Sequence, residues 1–171
     1  MAATHEHRIQ SAVNVFEEAN ARMVRLLEGL SDDAAGRAPL PGAWNPAQVG
    51  FHVAVTNELF AGILSGALPL AKPAPTGFME NPSVFASIPE KLKTLPPLEP
   101  PAGAARAEAI AKLQAAQAAV VAAMKALPPA RAAGQVMDLP FGTVTMYQAA
   151  EFTGAHVRRH LDQIHRCTAG V

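Results

Sequence analysis

The sequence is poor in cysteine, in aromatic residues and in net charge. Its single cysteine, Cys167, cannot form a disulfide within the chain, and the N-terminus lacks the apolar segment of a signal peptide, so we expect a cytoplasmic protein. The formal net charge is zero and the basic residues form no long run, so we expect no nucleic-acid partner. The longest apolar stretches are interrupted by polar residues and are too short to cross a bilayer, so we expect no membrane anchor.

The composition that is present favours helices. Half of the residues are hydrophobic but only 5% are aromatic, and alanine is abundant. Strands of a β-sandwich would contain more β-branched and aromatic residues, whereas alanine has the highest helix propensity. At 171 residues the chain is long enough for one well-buried core. We therefore predict an all-α fold and a single domain over residues 1–171.

Apolar residues recur at intervals of three and four residues in the segments that we predict to be helical. Asn45, Pro46 and Gln48 form a start signal for the second of these helices, and Thr145 with Gln148 forms a capping box before the last. The predicted helices cover residues 5–30, 46–65, 104–126 and 146–168. Together they describe a four-helix bundle.

A proline-rich segment, residues 66–101, separates the second and third predicted helices. Prolines interrupt long helices, so we predict a long crossover with one or two helical turns after Asn81-Pro82. Phe78, Phe85 and Leu92 either pack over an opening in the bundle as a lid or anchor the loop. A short hairpin-like turn is predicted at residues 139–144.

Two histidines one helical turn apart, His156 and His160, are the most informative feature of the chain. Residues four apart lie side by side on one helix face, so two imidazoles can share one cation. A divalent metal held by imidazole needs at least three protein ligands. We predict that His52, which lies in an apolar helical pattern distant in sequence, is the third ligand.

Several other polar residues were candidates for roles near this site. Gln163 either lines the pocket or hydrogen-bonds a neighbouring helix. Glu58 is expected to be an outer or surface group, and His165, five residues after His160, is expected to point away from the histidine pair. His5 is expected at a frayed terminus.

The motifs described above resemble those of the DinB/YfiT-like superfamily of four-helix bundles. The resemblance rests on Trp44-Asn45-Pro46 before His52, on the long middle connection, and on a final helix reading HVRRHLDQIHR. It implies a divalent metal, often nickel or zinc, held by His52, His156 and His160. Characterised members include S-transferases that use bacillithiol, mycothiol-dependent isomerases and the metal-binding part of ergothioneine-forming sulfoxide synthases. Members commonly associate as dimers, so the resemblance also implies a homodimer.

Two classes of function follow from these observations. The first is an enzyme in which the metal activates a low-molecular-weight thiol, as in an S-transferase, or water, as in a hydrolase, toward a small-molecule substrate. The second is a non-catalytic bundle that binds a metal or another ligand, or a dimerising stress-response protein. A metal site open to substrate would indicate the first class, and a site closed by protein ligands the second.

Overall fold

Four long helices form the protein, as the hydrophobic pattern predicts. The computed structural model describes residues 4–89 and 92–168. Its long helices are α1 (His5–Glu28), α3 (Pro46–Ser65), α4 (Arg106–Ala126) and α6 (Met146–Thr168). The predicted all-α four-helix bundle with a long crossover is confirmed. Helix α1 ends two residues earlier than predicted, and α4, the third long helix, begins two residues later than predicted.

Short elements join the long helices, and most of them were not predicted. They are the helices α2 (Asp32–Ala35) and α5 (Pro129–Gly134), two 3-10 turns at Val84–Ser87 and Pro96–Leu98, and the strands β1 (Lys72–Pro73), β2 (Gln135–Leu139) and β3 (Gly142–Thr145). The turn at Val84–Ser87 confirms the helical turn expected after Asn81-Pro82. The strands β2 and β3 form the predicted hairpin, which is extended by β1 into a small antiparallel sheet of order β1-β2-β3.

Contacts at the two ends of the bundle establish the directions of the helices. At one end, Leu27 of α1 packs against Gly50 of α3, which also faces Ala109 and Leu113 of α4. At the other end, the Tyr147 hydroxyl and Nδ1 of His5 are hydrogen-bonded at 2.7 Å, joining the start of α1 to the start of α6. Thus α1 and α6 run in one direction, and α3 and α4 run in the other. The crossover must therefore return along the whole bundle to reach the start of α4.

Both predicted helix starts are present. Oδ1 of Asn45 accepts a hydrogen bond from the backbone N–H of Gln48, and the Gln48 side chain accepts one from the N–H of Asn45. Thr145 and Gln148 make the same reciprocal pair at the start of α6. These pairs satisfy N–H groups that have no partner within the helix. They fix where α3 and α6 begin, and the start of each helix determines the helix face on which its histidines lie.

The core is formed by apolar side chains of all four long helices. The largest fully buried ones include Phe16, Met23 and Leu27 of α1, Val49, Ile63 and Leu64 of α3, Leu113 and Met124 of α4, and Met146 and Ile164 of α6. In the described part of the chain, no helix combines the length and apolar character needed to span a bilayer.

Candidate metal centre

The three histidines singled out from the sequence converge in the structure. His52 lies two turns into α3, and His156 and His160 lie in the second half of α6. Because α3 and α6 run in opposite directions, the first half of α3 and the second half of α6 occupy the same end of the bundle. Pairs of their ring centroids are 4.5 to 5.3 Å apart.

The separations of the ring nitrogens fit a single bound cation. One nitrogen from each ring can be chosen so that all three lie within 4.8 Å of one another, and Nε2 of His156 is 3.1 Å from Nε2 of His160. Two ligands about 2.0–2.1 Å from one tetrahedral ion are about 3.4 Å apart. The group contains no carboxylate and no thiol. The residues present therefore fit a divalent ion that accepts three imidazole ligands.

Hydrogen bonds orient two of the three rings. Nδ1 of His52 donates to the carbonyl oxygen of Leu98 at 2.8 Å, because a carbonyl can only accept. Nδ1 of His160 donates to Oε1 of Gln163 at 2.7 Å. In both rings the proton resides on Nδ1, so Nε2 has the free lone pair, and in His160 that nitrogen faces His156. Metal-binding histidines commonly use their second nitrogen in this way.

His156 differs from the other two histidines. Its ring is 8% exposed, and Nδ1 has no hydrogen-bond partner among residues 4–89 and 92–168. In the absence of a cation, its Nε2–H donates to the free Nε2 of His160, which is the only arrangement consistent with the proton on Nδ1 of His160. Coordination through Nε2 therefore requires that this proton leave Nε2 of His156.

The environment keeps all three imidazoles neutral. Burial lowers the pKa of His52, and the hydrogen bond to Leu98 only partly opposes that effect. Burial, followed by the proximity of His160 and His52, holds the pKa of His156 well below its ordinary value. Burial and the nearby His52 lower the pKa of His160 to about 3. Neutral imidazole is the form that binds metals, so the group is in its binding form at neutral pH.

Aromatic rings surround the histidines. The Trp44 ring contacts the His52 ring, with centroids 4.9 Å apart, and the Phe152 ring contacts His156 at 5.4 Å. Phe152 in turn packs on three further rings, Phe60, Phe85 and Phe141. His52 and His156 are buried, and His160 alone of the three is partly exposed. His160 is therefore the member of the cluster that lies nearest to solvent.

The crossover contributes to this enclosure. Phe85 packs against Phe152, which supports the anchoring role rather than the lid role, while Leu92 is 41% exposed. The Arg159 guanidinium donates to the carbonyl oxygen of Pro89 at 2.8 Å. Phe78 is half-buried. The carbonyl of Leu98 thus contacts the histidine cluster directly, and Phe85 reaches it through Phe152.

Other predictions around the site have mixed outcomes. Glu58 and His165 are exposed, as expected. The Gln163 side chain accepts a hydrogen bond from His160 on its own helix, which places it beside the histidine cluster and not on a neighbouring helix. The expectation of a frayed His5 is wrong, since His5 is the first residue of α1 and is hydrogen-bonded to Tyr147.

The contribution of Leu98 was not predicted. It acts through its backbone carbonyl in a short 3-10 turn, and a backbone group has no signature in residue type. The contact between Phe152 and His156 was also missed, although Phe152 lies one turn before His156 and therefore on the same helix face.

Comparisons with known proteins identify the family and the fold. A family model described as the DinB superfamily matches residues 16–164. The fold is similar to that of YfiT from Bacillus subtilis, with a TM-score of 0.68 and 17% sequence identity over 99% of this chain and 90% of that one. YfiT is described as a probable metal-dependent hydrolase with an unusual four-helix bundle topology. No curated protein sequence matches this chain.

Proposed function

This chain belongs to the DinB superfamily, and from that premise we propose that it is a metal-dependent enzyme in which His52, His156 and His160 hold one divalent ion. The observation that carries the proposal is the convergence of three neutral imidazoles from two helices, two of them buried and the third partly exposed, with no carboxylate among them. Imidazole ligands suit zinc, copper, iron and nickel among the first-row metals. The resemblance to the DinB/YfiT-like superfamily favours nickel or zinc among these, and we propose one of the two as the resident ion.

The reaction we propose is hydrolysis of a small-molecule substrate. A divalent ion held by three neutral ligands lowers the pKa of a coordinated water, or of a thiol, and so supplies a nucleophile near neutral pH. The description of YfiT as a probable metal-dependent hydrolase supports the choice of water. Transfer of a low-molecular-weight thiol to an electrophilic substrate is the second candidate, because uncompensated positive charge also favours a thiolate.

The side chains of the site have separate tasks in this proposal. His52, His156 and His160 bind the ion through nitrogens that face one another, and the carbonyl of Leu98 and the Gln163 side chain hold two of the rings in the required tautomer. The aromatic rings of Trp44 and Phe152 exclude bulk water from the buried side of the cluster and strengthen electrostatic interactions there. Substrate would enter beside His160, the partly exposed member of the group.

Metal analysis tests the binding part of the proposal. We expect about one zinc or nickel ion per chain in the protein as isolated, and nearly complete loss in the His160→Ala variant. His165→Ala is the matched control, because it removes an exposed histidine from the same helix. Equal metal content in the wild-type protein and the His160→Ala variant would contradict the three-histidine assignment.

Activity measurements test the reaction. Protein stripped with a chelator and reloaded with zinc or nickel should hydrolyse members of a panel of chromogenic esters and amides, and the stripped protein should not. Parallel reactions with monochlorobimane and a set of low-molecular-weight thiols test the transferase alternative. Metal binding without either reaction would favour the non-catalytic metal-binding or stress-response function.

Further properties are proposed on the evidence of sequence and resemblance. We propose that residues 1–171 form one domain, that the protein is cytoplasmic, and that it has no nucleic-acid partner. We also propose a homodimer, since members of the superfamily that the chain resembles commonly form dimers. Light scattering coupled to size-exclusion chromatography tests the dimer directly, because a mass near 17.9 kDa would contradict it.

A further inference from the structure

Two buried asparagines lie in the bundle core away from the histidine cluster. Asn20 of α1 is 0% exposed and Asn57 of α3 is 1% exposed. Asn57 follows His52 by five residues, which turns it about 140° from the histidine around the axis of α3. The two asparagines therefore belong to a different part of the core, between α1, α3 and α4.

These asparagines retain unpaired polar atoms. Nδ2 of Asn20 donates to the Leu113 carbonyl at 3.2 Å and to Oε1 of Gln117 at 2.8 Å. Oδ1 of Asn20 has no partner in the described part of the chain, and neither does Oδ1 or Nδ2 of Asn57. The Asn57 amide is thus buried without any of its hydrogen bonds made by protein.

Helix geometry places the two side chains in the same layer of the core. Leu27 of α1 packs against Gly50 of α3, and these two helices are antiparallel. Asn20 precedes Leu27 by seven residues and Asn57 follows Gly50 by seven, so each lies two turns further from that contact on nearly the same face. Asn20 and Asn57 consequently lie at the same level of the core.

The energetic cost of leaving these atoms without a hydrogen-bond partner is large. A buried polar group without a hydrogen bond costs on the order of 1–3 kcal/mol, and three such atoms would consume much of the stability of a domain this size. The α3 residues nearest to Asn57 on its face are the small Ala54 and Ala61 and the larger Val53 and Phe60, all of them buried. Internal water is found beside buried polar groups that protein groups leave unpaired.

We propose that this layer of the core is a hydration site, in which ordered water bridges Oδ1 of Asn20 and the amide of Asn57. Water both donates and accepts, so it complements the two unpaired oxygens and the unpaired N–H₂ group. Gln117, the partner of Asn20, also lines a groove of about 500 Å³ on the surface between α1 and α4. The Gln117 side chain thus connects this groove to the buried pair, and we assign it as the route by which the water exchanges.

Water-to-protein NMR cross-peaks in the full-length protein test the proposal. We expect a cross-peak between a long-lived water and the side-chain amide protons of Asn57 in the wild-type protein. A cross-peak from the same water to the side-chain amide protons of Asn20 should also be present, and it should disappear in Asn57→Leu, a replacement of similar size that removes both polar atoms of residue 57. It should persist in Asn14→Ala, which removes an exposed asparagine from α1.

The wild-type measurement decides the matter even if Asn57→Leu does not fold. A crystal structure of the wild-type protein should show water within hydrogen-bond distance of Asn57. A direct hydrogen bond between Asn20 and Asn57 with no water between them, or the absence of the wild-type cross-peak, would overturn the proposal. Neither outcome depends on whether the three histidines bind a metal.

Discussion

Nδ1 of His160 donates a hydrogen bond of 2.7 Å to Oε1 of Gln163, one turn further along the same helix. The bond fixes the tautomer of His160 and directs its Nε2 toward His52 and His156. Both partners are on α6, so the orientation survives small movements of the other helices. In the proposed metal centre, Gln163 would therefore orient a ligand without contacting the cation.

Replacing Gln163 with leucine should weaken metal binding without removing a ligand. The His160 ring would lose the acceptor that holds its proton on Nδ1, and loss of such a partner lowers metal affinity by roughly 10-fold to 100-fold. Competition with a chromophoric chelator measures the affinity. The ¹⁵N shifts of His160 in metal-free protein report its tautomer. They should show the proton on Nδ1 in the wild-type protein but not in Gln163→Leu.

Asp162→Asn is the matched control for this experiment, because Asp162 is the exposed neighbour of Gln163. It should leave both the affinity and the ¹⁵N shifts unchanged. Unaltered His160 shifts in Gln163→Leu would show that the glutamine does not set the tautomer.

Metal-free protein should lose stability as the pH falls below about 6.5. Burial lowers the pKa of His160 from 6.5 to about 3, and lowers those of His52 and His156 as well. Between these values the unfolded chain binds protons that the folded chain does not, so acidification favours unfolding. Above pH 6.5 the histidines are neutral in both states and contribute no slope. Urea unfolding midpoints from pH 4 to 8 measure the effect.

A variant separates this effect from ordinary acid unfolding of carboxylates. His160→Gln removes one of the titrating groups and should reduce the dependence of the midpoint on pH between 6.5 and 4. The exposed His165, changed to Gln, should leave that dependence as it is in the wild-type protein. An identical pH profile for His160→Gln would mean that the pKa of His160 is the same in the folded and unfolded chain, so that burial does not lower it.

The histidine cluster was predictable because its information is local. The spacing of His156 and His160 places them on one face of a helix, and capping residues at Asn45 and Thr145 determine where the two relevant helices begin. Local sequence does not show that α3 packs against α6, because that contact is set by the fold of the bundle. The positions of the long helices follow from hydrophobic periodicity in the same way.

The parts that could not be predicted depend on contacts between distant residues. Strand β1 contains only Lys72 and Pro73, and it exists because it pairs with β2 more than sixty residues later. The carbonyl of Leu98 orients His52 across 46 positions of sequence. Neither a two-residue strand nor a backbone acceptor leaves a periodic pattern, so sequence reasoning had no signal for them.

Arg8 of α1 should contribute more to the free energy of unfolding than Arg22 of the same helix, which also forms an ion pair. It donates to Glu80 of the crossover and to Glu151 of α6, and it packs over the Tyr147 ring at 4.4 Å. Its side chain is only 25% exposed. Arg8→Met would leave two carboxylates without their cation, so we expect a loss of about 2 kcal/mol in the free energy of unfolding.

Arg22→Met is the control for Arg8→Met. Arg22 lies on the same helix and its ion pair with Glu18, at 4.0 Å, is more than half exposed. Such pairs contribute little, so the change should stay within about 0.5 kcal/mol. Chemical denaturation of both variants checks the comparison, and equal losses would mean that the Arg8 network is solvated in solution.

Gly154→Ala should destabilise the protein even though alanine is the better helix former. A Cβ at this position would lie 2.8 Å from Cγ1 of Val15 and 3.3 Å from the backbone nitrogen of Phe16. The Val15 side chain can turn away, but the Phe16 backbone cannot, so α1 and α6 must separate. Overpacking of this kind costs about 1–3 kcal/mol, which exceeds the gain in helix propensity of about 1 kcal/mol or less.

The position of Gly154 links this cost to the metal centre. It precedes His156 by two residues, so a shift of α6 displaces two of the three imidazoles relative to His52, and metal affinity should fall together with stability. Gly134→Ala provides the contrast, because a Cβ there meets no atom within 4 Å, and it should raise stability by about 0.4–1 kcal/mol with unchanged affinity. Thermal unfolding and chelator competition on both variants test this. If Gly154→Ala bound metal as tightly as Gly134→Ala, the close contact between α1 and α6 would not be what positions the histidine pair.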